Sequence, residues 1–304
     1  MNMKHLATRS HVLQATREYF YQAGFYEVET PVRITAPALE DHIDTPPSGS
    51  AWLRASPELH MKRLLATGAR QIFQIGPCFR SGECGKKHNP EFTLLEWYRT
   101  AADYTDILRD TEALLTHVLK KVTGQNTLVY QNIAIDLARP WHCHTVQAAF
   151  QTWAGWDPVA SWDEERFNAD MAELIEPSLP RDRPCVLTDY PAPAAALARL
   201  KHNDPRVAER WELYIGGLEI ANAFSELCDP VAQRARFIAT AQKRGARNQT
   251  VYPLDEPFLA ALATGMPECG GIALGLDRLT MLLGDVADIA EIRPFCQRPG
   301  ELIP

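Results

Sequence analysis

The sequence predicts an α+β fold, and three observations carry that prediction. A first hairpin joins the apolar run Ile72-Phe73-Gln74-Ile75-Gly76, through a loop of Gly, Lys, Asn and Pro, to a second apolar and aromatic run ending at Trp97-Tyr98. A second hairpin is marked by Gly216-Gly217 between two β-rich runs. Amphipathic helical stretches lie before, between and after them. With 304 residues, 46% hydrophobic and 23% charged, the chain can bury a large core. No segment is Gly/Ser-rich, repetitive or charge-blocked enough to be a linker, so residues 1–304 are expected to form a single domain, with a helical insertion around 140–180.

Each element has a local reason. Residues 9–23 place Val12, Ala15, Tyr19 and Phe20 at helical spacing, and Gly24 ends that helix. Phe25 to Pro31 alternates as a strand stopped by proline. A short strand around Leu53 leads into Ser56-Pro57-Glu58, an N-cap, a first helical residue and a first-turn acid, with Leu59, Leu64 and Leu65 on the buried face. Helices are expected over 106–122 and 161–175, and a strand over 184–191. On a regular strand Ile220, Asn222, Phe224 and Glu226 share one face and Glu219 lies on the other, so the two glutamates reach one ion only if the strand bulges between them. Leu276 to Leu283 reads as an apolar helix with Arg278 near its first turn. A cation at the positive end of a helix macrodipole calls for an anion nearby.

The charges narrow the function. Arg80, Lys86, Lys87 and His88 at the tip of the first hairpin can face phosphate oxygens, while Glu83 and Asn89 can read a polar ring edge. A net charge of -7 argues against a protein that coats nucleic acid. Seven scattered cysteines without a CxxC pair read as reduced thiols. In His142-Cys143-His144 adjacent side chains point to opposite faces, which makes a surface strand or turn rather than a zinc site. No segment has the length and apolarity of a signal peptide or a membrane span, so a cytoplasmic location is expected.

Three pieces in order resemble a known family. Gly24-Phe25-Tyr26-Glu27-Val28-Glu29-Thr30-Pro31 resembles motif 1 of class II aminoacyl-tRNA synthetases, the hairpin from Phe79-Arg80 to Arg99 resembles motif 2, and Gly271 to Arg278 resembles motif 3. His88-Asn89-Pro90-Glu91-Phe92-Thr93 and Ile215-Gly216-Gly217-Leu218-Glu219-Ile220-Ala221-Asn222-Ala223-Phe224-Ser225-Glu226-Leu227 look like the lysyl branch. The resemblance implies a catalytic core of mainly antiparallel sheet flanked by helices. Only about two dozen residues precede Gly24, so no OB-fold anticodon-binding domain is expected there. That combination resembles the branch of elongation factor P (R)-beta-lysine ligases. It implies ATP and Mg²⁺, lysine or beta-lysine as substrate, elongation factor P as acceptor, a homodimer built on motif 1, and no stable tRNA binding.

By position in the motifs, the resemblance gives Arg80 the α-phosphate and the attacking carboxylate, and Arg278 the γ-phosphate. Ser81, Gly82, Glu83, His88, Asn89, Glu219, Ile220 and Gly275 would contribute to the ATP site, and Glu219 with Glu226 would carry Mg²⁺. Ser56, Pro57, Glu58, Tyr98, Asn222, Glu226 and Ala273 would bind the amino acid, with either carboxylate free to take either ammonium. Two departures stand out. Motif 2 usually reads Phe-Arg-x-Glu, whereas here Gly82 precedes Glu83; either the loop shifts so that Glu83 serves, which is the expectation, or adenine is held less tightly. Ala273 stands where lysyl-tRNA synthetases usually carry glycine. Its methyl either biases the pocket between alpha- and beta-amino isomers or packs as a core alanine.

Overall fold

The computed structural model describes residues 2–296. Its centre is an eight-stranded sheet in the order Tyr26–Glu27, Gln71–Phe79, Glu91–Thr100, Cys269–Gly275, Leu218–Ser225, Val207–Ile215, Cys185–Pro191, His142–Thr145. Neighbours pair antiparallel except at the two edges, where Tyr26 lies parallel to Ile72 and Cys185 parallel to His142. Both expected hairpins are there. Gly216 and Gly217 close the second with φ of 61° and 81°, the left-handed pair a tight hairpin turn requires.

The helices Met3–Gln22, Tyr104–Thr123 and Leu276–Gly284 share a core with one face of the sheet, around Phe20, Phe73, Trp97, Leu114, Trp211 and Ile272. On the other face, Glu58–Ala66, Pro230–Ala246 and Glu256–Ala263 pack over one end, through Leu59, Met61, Leu65, Phe237 and Phe258. The helices Val146–Trp153 and Glu164–Asp170 pack Phe150 and Phe167 against Cys185, Leu187 and Tyr190. The space left on this second face is a cavity of 660 Å³.

Three boundaries differ from expectation. The strand expected over 25–31 pairs only at Tyr26–Glu27, with Val28 N–H still reaching Phe73 O; Arg54 then takes the Thr30 carbonyl, and Pro31 has no N–H to continue the ladder. The helix expected from 161 starts at Glu164 because Asp163 accepts from Arg166 N–H, and after Asp170 it widens into a π-turn over Met171–Ile175. The first helix starts at Met3, capped by Asn2. His142-Cys143-His144 forms the exposed edge strand, and no group of three or more His, Cys, Asp or Glu among the described residues could hold a metal. Among them, too, no helix is long and apolar enough to cross a membrane.

Candidate active site

One row of residues runs straight across the sheet on its open face. Gln74 pairs with Glu96, Glu96 with Ala273, Ala273 with Asn222, and Asn222 with Glu212. Parallel to it, Tyr98 pairs with Gly271, Gly271 with Phe224 and Phe224 with Arg210. Polar groups on a sheet face at the core of a domain are costly unless partnered. Here Glu96, Tyr98, Arg210, Glu212 and Asn222 line the cavity, and most are partnered.

Ser56, Pro57 and Glu58 stand at the start of the helix Glu58–Ala66, above that row. The N-cap position falls on Pro57 rather than on Ser56 as expected; the Ser56 hydroxyl, one residue earlier, accepts from Glu58 N–H at 2.9 Å and donates to Glu96 Oε1 at 2.6 Å. The Tyr98 hydroxyl donates to Glu96 Oε2 at 2.9 Å. Burial, reinforced by the charge of Glu58, pushes the Glu96 carboxyl up to about 8. Lys62, one turn on, is 1% exposed and bridges Glu58 Oε1 and Glu226 Oε2 at 2.5 Å each. Burial opposes its charge, but Glu226 and Glu58 outweigh burial and hold its pKa above the ordinary lysine value. Gly271 is what lets this cluster close. A Cβ there would lie 2.2 Å from Glu226 Oε1 and 2.3 Å from Tyr98 Cε1. Asn222 directs into this space an Oδ1 that is buried and has no hydrogen-bond partner among the described residues.

The second group of expected residues gathers past the ends of the strands Gln71–Phe79 and Cys269–Gly275, away from that row. Arg80, just past the strand Gln71–Phe79, lies over the Phe92 ring at 5.1 Å and 3.6 Å from Glu83, with its Nε unpartnered. Ser81 N–H donates to Asp44 O at 2.7 Å, and Gly82 takes φ of 80°, a turn open to glycine. Asn89 is buried and donates to Glu91 O at 2.6 Å. Arg278 donates to Glu219 O at 2.8 Å, Glu219 Oε2 at 3.1 Å and His88 Nε2 at 2.6 Å. Burial and then the Arg278 charge hold His88 below its usual range, so its ring is a neutral acceptor. Gly275 precedes this helix, and a Cβ there would approach nothing closer than 3.8 Å, which leaves the space beside Arg278 open.

The strand does bulge. Tyr214 pairs with Glu219 but Leu213 with Ala221, which leaves Ile220 as the extra residue, buried in the core. That puts Glu219 on the cavity side with Asn222, Phe224 and Glu226. Glu226 also pairs with Lys62 at 2.5 Å. The carboxylate that bears on Glu219 is Glu212. Burial, followed by the Glu212 charge, raises the Glu219 pKa. Glu212 is itself held by Arg210 at 2.6 Å and by the Tyr214 hydroxyl at 2.8 Å.

Four residues of this site were missing from the sequence reading: Lys62, Glu96, Arg210 and Glu212. Glu96 had a signal, a lone acid inside the apolar run Leu94-Leu95-Glu96-Trp97-Tyr98, and Arg210 and Glu212 alternate with apolar neighbours on a strand. Lys62 had none, because a lysine on an amphipathic helix normally faces water.

Residues 1–299 match the family model described as tRNA synthetases class II (D, K and N). The chain is 37% identical to the lysine–tRNA ligase of Carboxydothermus hydrogenoformans over 94% of its own length, and it spans 64% of that protein. It is 35% identical to the elongation factor P–(R)-beta-lysine ligase of Haemophilus influenzae and 36% identical to that of Mannheimia succiniciproducens, over 97% and 96% of its length and 95% of each of theirs. Three motifs in order, a mainly antiparallel sheet that carries them on one face, and a match along nearly the whole described chain lead to one conclusion: the protein belongs to the class II tRNA synthetase family of the D, K and N type.

Proposed function

We propose that this chain is an ATP-dependent ligase that activates (R)-beta-lysine, or lysine, as an aminoacyl adenylate and transfers it to a lysine side chain of elongation factor P. The carrying observation is that the row Glu96, Ala273, Asn222, Glu212 lines one cavity with the carboxylates Glu58 and Glu226 and the cation Arg80. A substrate with two ammonium groups and one carboxylate suits that order. Its amines would meet Glu58, Glu96, Tyr98, Asn222 and Glu226, and its carboxylate the planar fork of Arg80.

The chemistry needs positioning more than proton transfer in its first half. A carboxylate is already ionised at pH 7, so it attacks the α-phosphorus of ATP once Arg80 holds both partners and Arg278 holds the far phosphate. His88, Asn89 and the Ser81-Gly82-Glu83 turn would contact the nucleotide. Glu219 would hold Mg²⁺ with Glu226 or the neighbouring Glu212 as the second carboxylate, and the ion would supply charge neutralisation at the phosphates; two carboxylates plus phosphate oxygens and water form an ordinary donor set for this ion. In the second half, the acceptor amine attacks the adenylate carbonyl and AMP leaves.

End-to-end likeness to the elongation factor P ligases supports the protein acceptor, as does Ala273, placed opposite both Glu96 and Asn222 where the amino end would lie. The likeness to lysine–tRNA ligases keeps one other reading in play, an enzyme that charges RNA. In our reading the enzyme works in the cytoplasm as a homodimer and does not hold tRNA stably. Intact mass measurement decides between the readings after incubation with ATP, each amino acid, and either purified elongation factor P or tRNA. A lysyl mass on the factor is expected; charging of tRNA instead, or modification of neither, overturns the proposal.

A further inference from the structure

Of the cavity carboxylates that the activation step does not use, Asp41 and Glu164 pair with Lys243 and Glu176 accepts from the Tyr214 hydroxyl, which leaves Glu40. Glu40 lies on the loop between the strands Arg33–Ile34 and Pro47–Ser48, and it lines the cavity with Arg80, Glu58, Glu96 and Asn222. Its side chain is half-buried and makes no hydrogen bond or ion pair among the described residues. The backbone beneath it is fixed from two sides. Arg244, fully buried on the helix Pro230–Ala246, donates to Glu40 O at 2.7 Å and Ile43 O at 3.0 Å, and also pairs with Asp44. The next residue, Asp44, accepts from Ser81 N–H through its carbonyl at 2.7 Å and ties the loop to the Arg80 turn. A carboxylate without a partner, on a clamped loop, facing the arginine assigned to the reacting carboxylate, is placed to act on the reacting atoms.

We propose that Glu40 is the general base of the transfer step, taking a proton from the acceptor ammonium. This rests on the ligase reading above. The acceptor R–NH₃⁺ gives one proton to the Glu40 carboxylate, and the freed lone pair attacks the adenylate carbonyl carbon. The C–N bond forms, the carbonyl C–O bond to AMP breaks, and the second nitrogen proton leaves with the AMP phosphate. Charge balances without a further reactant. Burial sets the Glu40 carboxyl at about 7, within the range where a base is both available and strong enough at neutral pH. The charged groups around it are Arg80 and Glu83 on the hairpin, Glu58 on its helix, Arg210 on its strand, Arg244 and Lys243 on the helix Pro230–Ala246, and Asp41, His42 and Asp44 on its own loop.

The test separates the two halves of the reaction in the full chain. Glu40→Gln should keep ATP–pyrophosphate exchange, with its amino acid KM, within about twofold, while single-turnover transfer to elongation factor P falls by roughly 10² or more. Transfer to hydroxylamine, uncharged at pH 7, should be unaffected. In the wild type, transfer should rise with pH through about 7; Glu40→Gln should lose that limb and Glu40→Asp should restore part of it. Equal loss of exchange and transfer makes Glu40 a substrate-binding or structural group, and unchanged transfer removes it from the reaction; either result overturns the proposal. If the wild type exchanges but leaves elongation factor P unmodified, the acceptor reading fails by itself. The same ratio measured with n-butylamine as acceptor then decides the role of Glu40, with a loss of tenfold or more expected.

Discussion

Ala273 stands between Glu96 and Asn222 in the sheet register, so its methyl projects into the row that would hold the substrate's amino end. Ala273→Gly should therefore raise kcat/KM for alpha-lysine relative to beta-lysine by roughly 5- to 150-fold, as about 1 to 3 kcal/mol of steric discrimination would give; an unchanged ratio in exchange assays makes it a packing residue. Glu96 carries a second prediction. Its carboxyl titrates at about 8 in the fold against 4.5 in the unfolded chain. The unfolded state thus loses its proton first, so the contribution of Glu96 is present below pH 4.5 and lost as pH rises through 8. Glu96→Gln should flatten that decline, gaining on the order of 1 to 3 kcal/mol over the wild type by pH 9, while weakening amino acid activation. Thermal melts of the substrate-free protein from pH 5 to 9 check it, and parallel curves would refute it. Arg80 and Arg278 were visible as single residues because a cation in a turn or at a helix start is locally out of place. Lys62 was not, because only its distant partner Glu226 makes it a buried residue.

Among the elements, hairpins and helices were readable because their signals are local: alternation, Gly-Gly, a cap, a proline. The bulge at Ile220 was readable only as a condition, since a strand's sequence does not say where its partner slips by one residue. The closing strand Cys269–Gly275 shows why backbone room matters here. Gly271 faces Tyr98 on one side and Phe224 on the other, and Glu226 occupies the place of its missing Cβ. Gly271→Ala should raise the amino acid KM at least tenfold, leave the ATP KM within about twofold, and cost about 1 to 3 kcal/mol in stability through overpacking. Exchange kinetics alongside denaturant unfolding give all three; an unaltered amino acid KM would mean that Glu226 and Tyr98 do not shape the amine pocket.

Across the whole molecule, Asp277 joins three distant parts of the chain. It is 3% exposed, accepts from Thr93 N–H at 2.8 Å on the first hairpin, and pairs with Arg9 on the first helix and with Arg293 at 3.4 Å. Removing its charge leaves the partly buried Arg9 without an ion-pair partner, so Asp277→Asn should cost roughly 1 to 3 kcal/mol in urea unfolding; less than about 0.5 would mean that the first helix holds without it. By itself the sequence determined the α+β class, the order of the two hairpins and the terminal helix, and the family motifs with Arg80, His88, Glu219 and Arg278, because each is written in residues close together along the chain. Only the tertiary structure decided which carboxylates share a neighbour. The bulge in the strand turned Glu219 to the cavity side under the influence of Glu212, a helix brought Lys62 to Glu226, and a loop left Glu40 unpartnered over the site, since register and burial arise from contacts between segments that lie far apart in sequence.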